Sequence, residues 1–297
     1  MEYQALYRKW RPKTFDDVVG QQHVTDTIKN EIKNNACGHA FLFCGSRGTG
    51  KTSTARILSR AVNCENPIDG NPCCRCQSCM AIDSGSCMDG LEIDAASNNG
   101  VDNVRDLRDD AVYTPSQVKM RVYIIDEVHM LSLSAFNALL KIIEEPPEHL
   151  LFILATTELH KVPATILSRC QRFAFRRISQ EDIAARLQYV AYQENIDLDD
   201  SAARVLARLA DGGMRDALSL LEQCLSYDPS ELKLEDVEHI FGLTSVEEEV
   251  DLYLKIHDQK VSEVISKLRD MYAAGIDTKR LAVDLLELVK DVLIYSD

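Results

Sequence analysis

Gly45-Ser46-Arg47-Gly48-Thr49-Gly50-Lys51-Thr52 follows the pattern GxxxxGK with a hydroxyl residue next, which is chemistry for holding a polyphosphate. Glycines at these spacings let the backbone curl so that successive N–H groups point inward, at a helix start whose dipole favours anions. Lys51 would reach the β- and γ-phosphates, the Thr52 hydroxyl would complete a Mg²⁺ shell, and Ser53 would join the loop in binding the nucleotide. A second set of reactive residues closes the apolar run Val122-Tyr123-Ile124-Ile125, which ends in Asp126-Glu127. Asp126 would hold the Mg²⁺ through water, while Glu127 would orient and deprotonate an attacking water. His129 reads as a hydrogen-bonded structural residue rather than a base.

A third set is metal chemistry. Cys64, Cys73, Cys76 and Cys79 offer four thiolates within sixteen residues, around Pro67, Gly70 and Pro72. Four sulfurs with no open position suit a structural Zn²⁺ site. Cys74 breaks the three-residue rhythm and is left out of the shell, and Cys87 is a reserve ligand. Cys37, Cys44, Cys170 and Cys224 read as packing residues.

The elements that must position these groups alternate. Ala40–Cys44 reads as a buried strand, and Ala55, Leu58 and Val62 have helical spacing after the loop. Strands are also expected at 91–94, 121–126 and 150–155, the last ending at Thr156-Thr157. Helices are expected at 24–34, 101–113 and after Asp126, the latter stopped by Glu145-Pro146-Pro147. Such alternation implies an α/β fold with a parallel sheet and the ligand at the carboxyl ends of its strands. From Ser179 the pattern turns all-helical. Ser179-x-x-Asp182 opens a helix with Ile183, Leu187, Val190 and Ala191 on one face. Further helices fit 200–210, 214–226 and 235–241, punctuated by Gly212-Gly213 and Asp228-Pro229, and two antiparallel elements fit 244–297. Three domains are expected: 1–178 with the cysteine insertion at about 64–79, a helical lid at 179–243, and a helical domain at 244–297 that ends as if cut short.

Composition sets outer limits. With 297 residues and 45% hydrophobic content the chain can build more than one core and is not disordered. A formal net charge of −14 excludes a uniformly basic nucleic-acid coat, so any DNA contact has to come from a local patch. The opening Met1-Glu2-Tyr3-Gln4-Ala5 has no apolar signal core and no run approaches bilayer length. A cytoplasmic protein without membrane association is expected.

Tyr7-Arg8-Lys9-Trp10-Arg11-Pro12, then Phe15 and Val18-Val19-Gly20-Gln21, resembles the nucleotide-base box of clamp-loader ATPases of the AAA+ class. The cysteine insertion, Asp126-Glu127-Val128-His129 and Leu167-Ser168-Arg169-Cys170 extend the likeness to the gamma/tau subunits of bacterial DNA polymerase III, over essentially the whole chain. The resemblance implies an AAA+ sheet domain, a lid and the start of a helical collar. It also implies an ATPase within the polymerase holoenzyme that opens a sliding clamp and loads it onto primed DNA. Tyr7, Arg11, Pro12, Val18 and Val19 would then frame the adenine. Thr157 would be the polar sensor near the γ-phosphate, and Arg215, with Met214, the second sensor reaching back from the lid. Arg169 would be the arginine finger, presented to ATP on a neighbouring subunit. The implied partners are further copies, delta and delta-prime type subunits, the clamp, and primer–template DNA gripped through its backbone. Asn98, Asn99, Arg105 and Lys141 are the candidate DNA contacts. Another AAA+ DNA-remodelling ATPase and a non-hydrolysing zinc scaffold stand as alternatives; the cysteine insertion and Ser168-Arg169-Cys170 speak against the first, and Glu127, Thr52 and Arg169 against the second.

Overall fold

The computed structural model describes residues 4–227 and 230–295, so the break expected at Asp228-Pro229 lies outside the described residues. The chain forms two compact units, one of 1–186 with 207–219 and one of 187–206 with 220–297.

The first unit is built on five parallel strands, β1 Ala40–Cys44, β2 Gly90–Asp94, β3 Arg121–Asp126, β4 Leu150–Thr156 and β5 Gln171–Ala174, in the order β2-β3-β4-β1-β5. All residues of β1 and all seven of β4 are buried, as strands covered on both faces must be. Alternation along each strand sends side chains to opposite faces. Leu42, Tyr123, Ile125, Phe152 and Leu154 join one core with α5 Val101–Ala111 and α6 Leu133–Glu144. Phe41, Phe43, Ile124, Leu151 and Ile153 join the other with α2 Gln22–Lys33 and α3 Lys51–Val62.

Several elements differ from the sequence expectation. β5 is an extra strand: of its four residues only Phe173 is buried, so it shows neither an apolar run nor alternation. Phe173 stacks on Phe41 at 5.7 Å between ring centroids, which secures it at the sheet edge. Short helices α1 Leu6–Lys9 and α7 Ala164–Leu167 are added, and α4 Gln77–Asp83 lies within and just beyond the cysteine stretch. The helix from Val101 ends at Ala111, before the expected Tyr113.

α8 Gln180–Glu194, α9 Asp200–Leu209 and α10 Met214–Leu225 each contribute to both units. Asp182 N–H donates to Ser179 Oγ at 3.1 Å, which caps α8 as its sequence suggests. The second unit adds a two-residue parallel pair, β6 Asp197–Leu198 and β7 Glu231–Leu232, and α11 Leu234–Phe241. After Gly242 it forms three helices, α12 Val246–His257, α13 Val261–Ala273 and α14 Thr278–Tyr295, rather than two. The chain turns between α13 and α14 at Gly275, with φ +85°. Leu252, Met271 and Leu281 form the small core that the three helices share.

Candidate active site

β1, β4 and β3 are adjacent, and their carboxyl ends deliver the phosphate loop, Thr156-Thr157 and Asp126-Glu127 side by side. This is the crevice where an open α/β sheet takes its ligand. Gly45, Gly48 and Gly50 have φ of +151°, +77° and +103°, and α3 begins at Gly50 without a side-chain cap. Its first N–H groups are therefore directed to the loop's hollow. Lys51, 6% exposed, donates from Nζ to the carbonyl oxygens of Gly45 (2.9 Å) and Ser46 (2.7 Å). Burial lowers the Lys51 pKa, and the Glu127 and Asp126 carboxylates oppose that shift. Thr52 Oγ1 donates to Asp126 Oδ2 at 2.6 Å, so the two groups expected around a divalent cation already touch.

Glu127 takes a left-handed backbone, φ +48°, and its Oε2 accepts from Thr157 Oγ1 at 2.9 Å and from Thr157 N–H at 3.3 Å. His129 is nearly buried, with Nδ1 3.0 Å from Thr156 Oγ1 and Nε2 3.4 Å from Glu158 Oε1. The same Nδ1 lies 3.4 Å from Glu127 Oε2.

A cavity of about 370 Å³ opens beside the loop. Tyr7, Arg11, Pro12, Val18 and Val19 line it together with Arg47, Gly48, Thr49, Gly50, Lys51, Thr52, Ser53, Asp126, Glu127, Met214 and Arg215. Arg11 Nε donates to Ser53 Oγ at 3.2 Å, and burial lowers the Arg11 pKa. The Arg215 guanidinium lies over the Tyr7 ring, 4.9 Å from its centroid, a cation–π contact. Met214 N–H donates to Gly48 O at 3.0 Å, which ties α10 to the phosphate loop. Asp94 and Arg186 also line the cavity, and neither carries a sequence signal: both are isolated charges outside any motif.

Cys64, Cys73, Cys76 and Cys79 bring their Sγ atoms within 4.8 Å of one another. Backbone N–H groups of Cys73, Cys76 and Cys79 point at Cys64, Cys73 and Cys76 sulfurs at 3.2–3.5 Å. The Arg75 backbone N–H, helped by that of Cys76, holds the Cys73 thiol down to about 6. Burial pushes the Cys64 and Cys79 thiols up, so those two would give up protons on taking a metal, and the four convergent sulfurs match the donor set of a divalent ion of the zinc type. Cys74 and Cys87 are not in the cluster.

Arg169 does not line the cavity. It donates to Thr165 O (2.8 Å) and Ser168 Oγ (3.2 Å) and pairs with Glu144 at 2.7 Å. Asn98, Asn99, Arg105 and Lys141 are exposed, the first two in the turn after β2, Arg105 on α5 beside Asp102, and Lys141 on α6.

Residues 20–179 match the family described as DNA polymerase III, delta subunit; residues 182–228 match the DNA polymerase III clamp loader subunit, ATPase lid domain; residues 232–296 match DNA polymerase III subunits gamma and tau domain III. The DNA polymerase III subunit gamma of Buchnera aphidicola subsp. Acyrthosiphon pisum is 39% identical over 292 residues, which cover 97% of this chain and 80% of that one. The chain belongs to the DNA polymerase III gamma/tau family. The tau subunit of Bacillus subtilis is 50% identical over all 297 residues, 53% of its length, and that of Escherichia coli 42% identical over 289, 45% of its length. This gamma/tau chain therefore spans about half the length of those tau relatives. In fold it is similar to the Thermotoga maritima RuvB Holliday junction branch migration motor, with TM-score 0.59 and 16% identity, covering 92% of this chain and 88% of that one. Among the described residues of this gamma/tau chain, no helix is long and apolar enough to cross a membrane.

Proposed function

We propose that this gamma/tau chain is an ATP-driven motor subunit that loads a sliding clamp onto primed DNA, with each ATP shared between two subunits. One observation carries the reading: Lys51, Thr52, Asp126, Glu127 and Arg215 meet around one cavity, while Arg169 stands outside it on an exposed surface. The chain's own pocket thus holds the phosphate loop, the acids and Arg215, and the permanently charged Arg169 guanidinium, paired with the half-exposed Glu144 and local oxygens, can exchange those partners for a neighbour's phosphates.

In this reading Tyr7, Arg11, Pro12, Val18 and Val19 frame the adenine, and the phosphate-loop N–H groups with Lys51 hold the phosphates. Thr52 and Asp126 would hold a Mg²⁺, which would supply charge neutralisation for the phosphates. Glu127 accepts the proton of the attacking water once it leaves Thr157, which keeps the carboxylate aimed until then. Arg215 reports nucleotide state to the lid through its seat on Tyr7. Zn²⁺ held by the four cysteines is structural. Delta and delta-prime type subunits and further copies complete the assembly, in the cytoplasm and without membrane contact. DNA is gripped through its backbone on the side of Asn98, Asn99, Arg105 and Lys141. The division into a sheet domain to about 178, a lid to about 243 and a collar beyond belongs to the same proposal.

The test is steady-state ATP turnover by the reconstituted assembly, with and without clamp and primed DNA. Stimulation by both together is the expected result, lost in Lys51→Met. Turnover indifferent to clamp and DNA points to another kind of motor, and no turnover in the complete assembly points to a scaffold.

A further inference from the structure

The cysteine stretch reaches well beyond its sulfurs. Asn71, 7% exposed, accepts from Phe15 N–H at 2.8 Å through Oδ1 and donates to Asp16 Oδ2 at 2.8 Å through Nδ2. Lys29 of α2 bridges Asp16 (2.7 Å) and Asp69 (3.2 Å), and Lys33 pairs with Asp69 as well. Gly70, at φ +79°, lies so close to α2 that a Cβ would meet the Lys29 carbonyl oxygen at 2.8 Å. From α3, the buried Arg60 donates to Lys13 O at 2.9 Å and pairs with Asp83 at the end of α4. Residues 13, 15 and 16 are thus held by the stretch 69–83 or by Arg60, which that stretch itself engages. The flanking residues Arg11, Pro12, Asp17, Val18 and Val19 line the cavity on both sides of the held points.

Local structure fixes only part of this wall, where Asp17 Oδ2 accepts from Thr14 N–H at 2.9 Å and from Thr14 Oγ1 at 2.7 Å. Between α1 and α2 the segment has only one short helical turn, Phe15–Asp17, and such pieces are marginal without tertiary partners. Phe15 is 1% exposed and packed in the core, so its N–H needs a protein acceptor, and Asn71 supplies it.

We propose that the cysteine module positions the base-binding wall of the pocket, with Asn71 as the positioning residue and the Arg60–Asp83 pair as its second tie. This rests on reading the cavity as the ATP site, with residues 7–19 against the adenine. The module then affects recognition of the base and leaves recognition of the phosphates alone, since the loop and Lys51 make no bond to it.

Equilibrium binding of Mg-ATP and of Mg-tripolyphosphate to the purified chain separates the two. Asn71→Ala is expected to weaken ATP binding about tenfold, the factor equivalent to roughly one net hydrogen bond, and to leave tripolyphosphate binding within about twofold. The exchange Asn71→Asp with Asp16→Asn, which keeps an acceptor for Phe15 and a donor–acceptor pair between the two side chains, is expected to restore ATP binding. Equal weakening of both ligands signals general loosening of the fold and overturns the proposal, as does unchanged ATP affinity. If the unaltered chain binds both ligands equally, the base-pocket reading fails instead. Stripping the metal with a chelator, with release quantified by a colorimetric reporter, is expected to reproduce the selective loss. Full ATP affinity in metal-free chain overturns the route through the cysteines.

Discussion

Arg169→Ala is expected to leave the chain folded and its own pocket intact while removing most turnover from the assembly. In the free chain the guanidinium pairs with Glu144, and the two side chains are 37% and 45% exposed. A pair that open to water contributes about 0–1 kcal/mol. The bonds to Thr165 O and Ser168 Oγ are local, and water can replace them. The melting temperature should therefore fall by no more than about 4 °C, given about 2–4 °C per kcal/mol for domains of this size. A guanidinium delivered to a transferring phosphoryl group is worth roughly 10³–10⁵ in rate, or about 4–7 kcal/mol of barrier. The two effects differ several-fold, so stability and chemistry can be told apart. The decisive assay mixes two inactive chains. Lys51→Met lacks a working pocket and keeps its finger; Arg169→Ala keeps its pocket and lacks the finger. Assemblies of either alone should be nearly inert, whereas mixed assemblies should recover turnover at interfaces pairing an intact pocket with an intact finger. Full activity of Arg169→Ala alone, or no recovery on mixing, would refute the shared-site argument.

At Gly45 a Cβ would meet Phe175 O at 2.3 Å, so Gly45→Ala should cost about 1–3 kcal/mol in denaturant unfolding; an unshifted midpoint contradicts this. Thr157→Val removes the 2.9 Å bond to Glu127 with little change in shape, so it should lower kcat with KM unchanged and move stability by about 1 kcal/mol or less. A parental kcat counts against Thr157 as the aiming group. Hydrogen bonds from Lys255 and then Lys267 hold the Asp251 carboxyl down to about 2. A depressed carboxylate stabilises the fold above its ordinary pKa of about 3.9, and that contribution is lost as pH falls toward the folded value. The melting-temperature deficit of Asp251→Asn at neutral pH should therefore shrink between about pH 4 and pH 2. A deficit that stays constant across that window rules the linkage out.

What was legible in the sequence follows from burial. β1, β3 and β4 are apolar because helices cover both faces, and that continuity shows in the chain without any structure. β5 has one buried residue and is secured by pairing with β1, a neighbour 130 positions away (Phe41 beside Gln171), so nothing local announces it. The third helix of the last segment hides because its boundary is a single turn at Gly275, in a stretch otherwise rich in helix formers. At the candidate site, the glycine pattern and the acid pair stand out because backbone curvature and charge at a strand end are local properties. Asn71 does not: between Gly70 and Pro72 it reads as turn chemistry, and its partner lies 56 positions away. Asp94 and Arg186 reach the cavity by topology alone.

β4 has a consequence for control. It is wedged between the strand that launches the phosphate loop and the one that ends in the acids, and all seven of its side chains are packed away. Hydrogen-bonded strands sit at nearly invariant spacing. The separation between the strand end at Cys44, where the phosphate loop departs, and that at Asp126 is therefore set by the sheet ladder and resists adjustment by a regulator. Timing has to be imposed from the rim, by side chains that arrive or depart, and a stiff centre makes each arrival count in full.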